Sequence, residues 1–274
     1  MVSAAPETDK LFAGSIPEIY DRLLVPLLFE PYARDLAESM ARLEPRNVLE
    51  TAAGTGVLTR ALASRLPAAA RLVATDLNGP MLDRAATRQA EDRPVSWRQA
   101  DALKLPFADA EFDAIACQFG AMFFPDKIRA YGEARRVLKA DGHFLFSVWD
   151  RISENEFADV VAQAMTRVFP DDPPAFLART PYSYHDVRTI REELIAAGFG
   201  SVSIEMVAHT TRARSPREPA LAFCQGTPLR NEIEARDASA LEAATAAAAD
   251  ALRQRFGDGA IEGRMRAFVI AAAS

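Results

Sequence analysis

Short apolar runs alternate with segments of helical periodicity through the middle of the chain, from Asn47 to Trp149. The runs are typical of buried strands, whereas the segments between them place apolar residues on one helical face. Five such strand-and-helix steps predict parallel strands joined by right-handed crossovers, with ligands bound at the carboxyl ends of the strands. The fourth helix is predicted over Lys127–Lys139 and the fifth strand over Gly142–Trp149.

The segment ahead of these steps has helical spacing from Ile16 to Leu43, interrupted by Pro26 and Pro31. Proline inside a helical pattern ends or kinks the helix, so this segment predicts two short helices. We expect them to cover the ligand as a lid, with Tyr20 as a candidate contact. The alternative is that the Tyr20 ring belongs to the core.

The chain after the fifth strand predicts an insertion, further helices and two more strands. Residues 151–185 are rich in proline and aromatic residues, and we expect them to shape the substrate pocket above the carboxyl edge of the sheet. Helices are predicted over Glu154–Val168 and over Asp186–Ala197, the second ending at Gly198. The sixth strand is predicted over Ser201–Thr210 and the last strand over Arg266–Ala271. Between these strands, a mostly helical insertion is predicted over Ser215–Phe256, with an alanine-rich run over Ala238–Leu252.

The first strand, Val48–Glu50, runs into a turn of small residues that ends at Gly56. Gly54 and Gly56 can take a positive φ and let backbone N–H groups approach a ligand closely. Ala52 leaves little side chain in the way, and as a residue with a Cβ it is expected at negative φ. The turn therefore predicts a cofactor site.

Glu50 distinguishes between the cofactors that such a turn can bind. A dinucleotide turn follows G-x-G-x-x-G/A, whereas Thr59 stands at the third small position here. A carboxylate at Glu50 would repel a pyrophosphate and suits a ligand with an ammonium group. S-adenosylmethionine carries an ammonium and a sulfonium and has no phosphate. A Walker loop is excluded because no Gly-Lys-Ser/Thr follows the glycines.

The run from Glu50 to Gly56, Glu-Thr-Ala-Ala-Gly-Thr-Gly, resembles the first motif of class I S-adenosylmethionine-dependent methyltransferases, with Ala52 at the place of its first glycine. Two further strands end in acids at the family's spacing. Asp76 can accept both ribose hydroxyls, and the alternative is a helix cap before Pro80. The resemblance implies that Asp101 accepts the adenine amino group and Ala102 donates to the ring. It implies a cofactor site made of Glu50, Ala52, Gly54, Thr55, Gly56, Asp76, Leu77, Met81, Asp101, Ala102, Leu103, Gln118 and Phe119.

Residues 101–107, Phe112-Asp113 and residues 133–139 resemble the ubiquinone/menaquinone-biosynthesis type of these enzymes, the methyltransferase type 11. The resemblance covers roughly residues 47–149. It implies an α/β fold, a doubly wound, seven-stranded, mostly parallel Rossmann-like sheet with an antiparallel last strand, a helical N-terminal lid and helical cap insertions. A single methyltransferase domain over residues 1–274 is expected, with a lid at 1–45, the cofactor-binding core at 46–150, a cap insertion at 151–185, and a C-terminal part at 186–274 that includes the helical insertion 215–256.

Composition and charge limit the partners. A chain of 274 residues with 49% hydrophobic content can bury one substantial core. A net charge of −6 argues against nucleic acid as a partner. With two cysteines and three histidines, neither a disulfide framework nor metal-ligand spacing is evident. The absence of a signal peptide and of a long apolar run indicates no transmembrane segment and favours the cytoplasm. A homodimer is one of the states that the sequence allows.

Methyl transfer from a sulfonium is an in-line displacement, in which positioning supplies much of the rate. We expect a small, hydrophobic or aromatic acceptor, methylated at oxygen, nitrogen or carbon, with S-adenosylhomocysteine as the product.

The candidate bases are His185 and Tyr20, and the alternative for His185 is a polar residue at a helix start. Two alternatives to this activity are a scaffold that binds the cofactor without turnover and an NAD-dependent oxidoreductase. The candidate substrate residues are Met122, Phe123, Trp149, Tyr184 and His209.

Overall fold

The computed structural model describes residues 6–10, 12, 14–91 and 93–273 of the chain. They form two compact units. The helical unit comprises the described residues up to Phe29 together with Trp149–Tyr184 and Ala208–Arg266. The sheet unit comprises Glu30–Val148, His185–Val207 and residues 267–273. The allocation of the chain to a single methyltransferase domain stays a prediction.

Seven strands form one sheet in the order β3-β2-β1-β4-β5-β7-β6. Strands β1, β2, β3, β4 and β5 pair in parallel, as the alternation of strands and helices predicts. The Ser203 hydroxyl donates to the Ala271 carbonyl, and Arg212 pairs with Glu262, so β6 and β7 run antiparallel. The strands are β1 (Asn47–Glu50), β2 (Arg71–Asp76), β3 (Ser96–Gln99), β4 (Phe112–Gln118), β5 (Leu138–Trp149), β6 (Ser201–Ala213) and β7 (Ile261–Ala273).

Helices follow β1, β2 and β4 and flank the sheet, whereas residues 100–111, between β3 and β4, contain no helix, so the prediction of a helix after every strand is wrong at this step. The long insertion after β6 contains three helices, in agreement with its mostly helical prediction. The helices are α1 (Ile16–Ile19), α2 (Glu30–Ala41), α3 (Val57–Arg65), α4 (Gly79–Thr87), α5 (Lys127–Val137), α6 (Glu156–Val168), α7 (Phe176–Arg179), α8 (Val187–Ala196), α9 (Arg217–Gln225), α10 (Leu229–Arg236) and α11 (Leu241–Phe256). Short 3₁₀ turns lie at Glu7–Lys10, Ala121–Phe123 and Ile152–Glu154.

The prediction of two separate helices at the N-terminus is wrong, because the prolines do not interrupt the helical run. A π-helix over Tyr20–Phe29 joins α1 to α2, and Pro26 lies inside it. Pro31 lies in the first turn of α2, and the Leu27 carbonyl, four residues before it, accepts the Thr211 hydroxyl at 2.8 Å in place of the missing Pro31 N–H. The wider π-helical turn accommodates a residue that an α-helix interior would exclude.

Apolar side chains cover both faces of the parallel strands in the sheet unit. On one face, α2 and α3 pack against Val48, Ala114, Ala116 and Leu145. On the other face, the Tyr131 ring of α5 lies 5.4 Å from the Phe146 ring and 5.9 Å from the Phe144 ring. Helices on both faces make the sheet doubly wound, as expected. Among the described residues, no helix combines the length and apolar character needed to cross a membrane.

Candidate active site

The turn after β1 has the backbone geometry expected of its glycines. Gly54 has φ +56° and Gly56 has φ +79°, both in the left-handed region. A Cβ on Gly56 would lie 3.0 Å from the Ala85 Cβ and 3.3 Å from the Trp97 ring. Gly56 is therefore required by both conformation and space, and it brings the start of α3 close to α4 and β3.

Ala52 departs from its predicted conformation. Its φ is +54°, so the expectation of a negative φ is wrong. The Thr51 N–H donates to the Ala116 carbonyl and the Ala53 N–H to the Thr75 carbonyl, each at 2.9 Å, which ties this turn to β4 and β2. These two bonds hold Ala52 in a left-handed conformation that costs an alanine about 1 kcal/mol.

Asp76 links the turn to the start of α4. Its Oδ2 accepts the Gly54 N–H at 2.8 Å, and its Oδ1 accepts the Asn78 N–H at 2.8 Å. Burial raises the pKa of Asp76, and the hydrogen bonds from Asn78 and Gly54 oppose that rise. Since each carboxylate oxygen has a second lone pair, hydroxyl donors can still bind there. The ribose role of Asp76 stays a prediction.

Glu50 at the end of β1 is 1% exposed, and its Oε2 has no hydrogen-bond partner among the described residues. Burial raises the pKa of Glu50 to about 8; the hydrogen bonding of Thr59 and the charge of Arg60 oppose this rise, and the charge of Asp76 adds to it. The hydroxyl of Thr55, in the same turn, is also buried without a partner in the described part of the chain. A buried acceptor with no donor fits the ammonium group of S-adenosylmethionine.

The residues assigned to the adenosine lie beyond β2 and β3. Leu77 follows Asp76 and is 47% exposed, whereas Met81 is buried beside Gly54. Asp101 is exposed, and its Oδ1 accepts the Leu103 N–H at 2.9 Å. This bond fixes the short turn that contains Ala102. The assigned contacts of these five residues with the cofactor stay predictions.

The loop after β4 also holds a strained residue. Phe119 has φ +50°, donates its N–H to the Ser147 carbonyl at 3.1 Å and packs edge-on against the Tyr32 ring. An aromatic residue rarely adopts this conformation without a functional reason. Gln118 and Met122 beside it are buried, and Phe123 is half-buried.

Sequence reasoning missed two buried hydroxyl groups near these strand ends. Ser147 lies beside Gln118 in the β4–β5 register, and Thr59 lies in the first turn of α3. Both are buried; the Ser147 hydroxyl has no hydrogen-bond partner in the residues that the structure describes, and the Thr59 side chain lowers the pKa of Glu50. The available signal was the alternation of β5, because Leu145 faces α2 and α3 and Ser147 shares that face.

Two candidate residues of the helical unit, Tyr20 and Trp149, pack within a group of aromatic rings. The Tyr20 and Phe29 rings are 5.2 Å apart, and Trp149 lies between Phe29 at 6.0 Å and Tyr182 at 5.8 Å. Trp149 is 2% exposed. We call Tyr20, Phe29, Trp149 and Tyr182 the aromatic cluster. Their packing agrees with the alternative that these rings are core.

The remaining candidates are divided between the two units. His185 is a half-buried residue of the sheet unit, and Tyr184 is a buried residue of the helical unit. His209 is half-buried on β6. The N-cap of α8 is Asp186, whose side chain accepts the Arg188 N–H at 2.9 Å, so His185 is not the capping residue. Its role as a base stays a prediction, as does that of Tyr20.

Comparison with known proteins adds to this geometry. A family described as "Methyltransferase domain" matches residues 49–146. The demethylmenaquinone methyltransferase of Thermus thermophilus is 39% identical over 140 residues, which cover 50% of this chain and 61% of that protein. The ubiquinone/menaquinone biosynthesis C-methyltransferase of Chromobacterium violaceum is 34% identical over 166 residues, or 57% of this chain and 67% of that protein.

The fold has solved relatives. A phosphoethanolamine N-methyltransferase 2 of Haemonchus contortus, in complex with S-adenosyl-L-methionine, aligns with a TM-score of 0.58 and 18% identity. The alignment covers 99% of this chain and 60% of that one. At this identity the likeness supports the Rossmann-like methyltransferase fold and not the substrate.

Proposed function

Since this chain belongs to the class I S-adenosylmethionine-dependent methyltransferases of the ubiquinone/menaquinone-biosynthesis type, we propose that it methylates a small, hydrophobic or aromatic acceptor. The cofactor of this family is S-adenosylmethionine. The observation that supports the proposal best is the buried Glu50 carboxyl group, whose Oε2 has no partner in the described chain, beside a turn in which Gly54 and Gly56 have positive φ.

The residues of the sheet unit have distinct tasks in this proposal. Glu50 holds the ammonium group, Asp76 holds the ribose, and Leu77, Asp101 and Ala102 contact the adenine. When bound, the cofactor supplies an electrophilic methyl group on its sulfonium. Phe119 and Met122 exclude water from the acceptor side, where desolvation strengthens the electrostatic attraction of Glu50 for its partner.

The acceptor is proposed from the names of the relatives. Those of Thermus thermophilus and Chromobacterium violaceum refer to menaquinone and ubiquinone, which are apolar quinone compounds. The chain spans 61% of the length of the Thermus relative, so the assignment of a quinol-type acceptor remains our proposal. Phe123, a half-buried residue of the sheet unit, supplies an apolar surface of the kind such an acceptor prefers.

Transfer of a labelled methyl group tests the activity directly. Purified protein is incubated with S-adenosylmethionine labelled in its methyl group and a panel of quinols, phenols and amines. Incorporation into a quinol or phenol supports the proposal. Binding of S-adenosylhomocysteine with no incorporation across the panel would favour a scaffold, and stabilisation by NAD(H) alone would favour an oxidoreductase.

Replacement of the proposed base tests whether the acceptor must lose a proton. We expect His185→Ala to lower kcat by about 10²-fold and to leave the affinity for S-adenosylhomocysteine unchanged. His143→Ala is the matched control, because His143 lies near the start of β5, at the opposite end of the strand from Trp149. A wild-type rate for His185→Ala would exclude this residue as the base.

The setting of the enzyme is also proposed. Cys117 and Cys224 are both buried and unpaired, which is the usual state of thiols in the cytoplasm. We therefore assign the activity to the cytoplasm, with a small molecule and not a nucleic acid as the partner. A homodimer is kept as a hypothesis, and light scattering of the purified protein tests it.

A further inference from the structure

Two buried acids end neighbouring strands of the cofactor site, Glu50 on β1 and Asp76 on β2. The charge of Asp76 raises the pKa of Glu50, so the two groups influence each other. Desolvated carboxylates that repel one another are rarely both ionised, and the environment of each decides which one keeps its proton.

Hydrogen-bond donors distinguish the two acids. Asp76 accepts the N–H groups of Gly54 and Asn78, both at 2.8 Å, and the Asn78 side-chain amide at 3.4 Å. Thr59 interacts with Glu50 through its side chain and its backbone and lowers the pKa of Glu50, but the Oε2 of Glu50 accepts no hydrogen bond from the residues described. Donors of this kind stabilise the ionised form of Asp76, whereas burial raises the pKa of Glu50 to about 8 despite Thr59, so Glu50 and not Asp76 holds the proton in the cofactor-free protein.

Few other charges act on Glu50. They are Arg60 from α3 and Asp76 from β2; the uncharged neighbours are Thr59 from α3 and the Cys117 thiol from β4, whose pKa burial raises to about 12. The Arg60 guanidinium donates to the Thr55 carbonyl at 2.7 Å, and its attraction is smaller than the effect of burial, which raises the pKa of Glu50 to about 8. From α2, the buried side chains are apolar apart from the Tyr32 phenol, which donates to the Val207 carbonyl.

We propose that the ammonium group of the cofactor displaces the proton of Glu50, so that cofactor binding releases one proton to solvent. This inference rests on the proposed function, from which it takes its ligand. The O–H bond of the Glu50 acid breaks, the proton passes to the buffer, and the carboxylate pairs with the ammonium group. Affinity for the cofactor then rises with pH below the pKa of Glu50 and levels off above it.

Calorimetry in two buffers measures how many protons are released when the ligand binds. S-adenosylhomocysteine is titrated into the wild-type protein at about pH 6.5 in phosphate and in imidazole buffer, whose enthalpies of ionisation differ. The expected result is a buffer-dependent heat equivalent to about one proton per ligand, and a Kd that falls about tenfold per pH unit below pH 7.

Glu50→Gln is the matched variant, because it keeps the size of the side chain and cannot release a proton. Its binding heat should be the same in both buffers. Buffer-independent heat for the wild type would overturn the inference, and so would equal proton release by Glu50→Gln, since Asp76 would then be the source. Absence of any binding by the wild type would instead contradict the proposed function.

An infrared difference spectrum of the wild type keeps the test decisive if Glu50→Gln fails to fold. The C=O stretch of a neutral carboxyl group should be present before S-adenosylhomocysteine is added and lost on binding. A stretch that persists in the complex would overturn the inference.

Discussion

Two acids, Asp9 in the helical unit and Glu50 in the sheet unit, are each 1% exposed, yet their surroundings are opposite. Asp9 accepts hydrogen bonds from Nη2 and Nε of Arg179, at 2.6 and 3.2 Å, and a third hydrogen bond from the Thr180 hydroxyl. Glu50 keeps an oxygen without a partner in the part of the chain described. A paired buried charge fixes a structure, whereas an unpaired buried acid indicates a binding group.

Backbone strain also differs between the sheet unit and the helical unit. The described non-glycine residues with positive φ are Glu44, Ala52, Ala110 and Phe119, and all four belong to the sheet unit. Ala52 and Phe119 end neighbouring strands, β1 and β4, beside Glu50 and Gln118. Strain and an acid with an unpartnered oxygen therefore occur together at the candidate site, whereas Asp9 and Asp150, two buried acids of the helical unit, pair with Arg179 and Arg266.

Removal of the arginine that pairs with Asp9 should lower the free energy of unfolding more than any other change considered. Arg179→Ala leaves Asp9 and Glu232 without the guanidinium that both contact, and we expect the free energy of unfolding to fall by about 3 kcal/mol or more. Urea unfolding measures the change. Arg217→Ala is the control, because its ion pair with Glu242 is exposed and contributes about 0.5 kcal/mol or less. Equal effects of the two variants would contradict the contrast.

The pH dependence of stability tests the unpaired acid. The pKa of Glu50 is raised from 4.5 to about 8 by burial, so its protonation favours the folded state. That contribution is complete below about pH 4.5 and is lost as pH rises towards 8, by up to about 1.4 kcal/mol per pH unit. Glu50→Gln, without a titrating group, should lack this loss and be more stable than the cofactor-free wild type at pH 8.

Urea unfolding of both proteins between about pH 5 and pH 8 measures this difference. Glu38→Gln serves as the control, since Glu38 is largely exposed in an ion pair with Arg42. Parallel stability profiles of wild type and Glu50→Gln would show that Glu50 titrates normally.

The parts of the site set by local backbone chemistry were predictable from sequence. Gly54, Gly56 and the acids at the ends of β1 and β2 lie where the turn and the strand periodicity place them. The left-handed Ala52 was not predictable, because hydrogen bonds from β2 and β4 impose it. The fold was likewise predicted except at Pro26, where a π-helix replaces a helix break, and between β3 and β4, where residues 100–111 contain no helix.

The acceptor side was harder to predict, since aromatic residues are equally typical of a core and of a pocket. Trp149 is packed between Phe29 and Tyr182, and only tertiary contacts reveal this. Ser147 was not predicted, because its burial depends on the face of β5 that it shares with Leu145. Side chains that act through packing across elements leave little signal in a single sequence.

Changes at the contact between Gly120 and the strained Ala52 should alter the free energy of unfolding by a smaller amount. A Cβ on Gly120 would collide with the Ala52 Cβ and lie 2.9 Å from the Cys117 sulfur. We expect Gly120→Ala to lower the free energy of unfolding by about 2 kcal/mol. In an Ala52→Gly background, which removes the collision and the left-handed alanine, the same change should cost about 1 kcal/mol less. A double-mutant cycle by urea unfolding measures this coupling, and additive effects would contradict it.

The central claim is that the unpaired Glu50 carboxyl group binds the cofactor's ammonium group. The most direct test is the Kd of S-adenosylhomocysteine for wild type and Glu50→Gln, measured by calorimetry at about pH 8, where the Glu50 carboxyl titrates. We predict that Glu50→Gln binds about 100-fold more weakly, because the buried ion pair is lost. Equal affinities, with both proteins folded, would contradict the account.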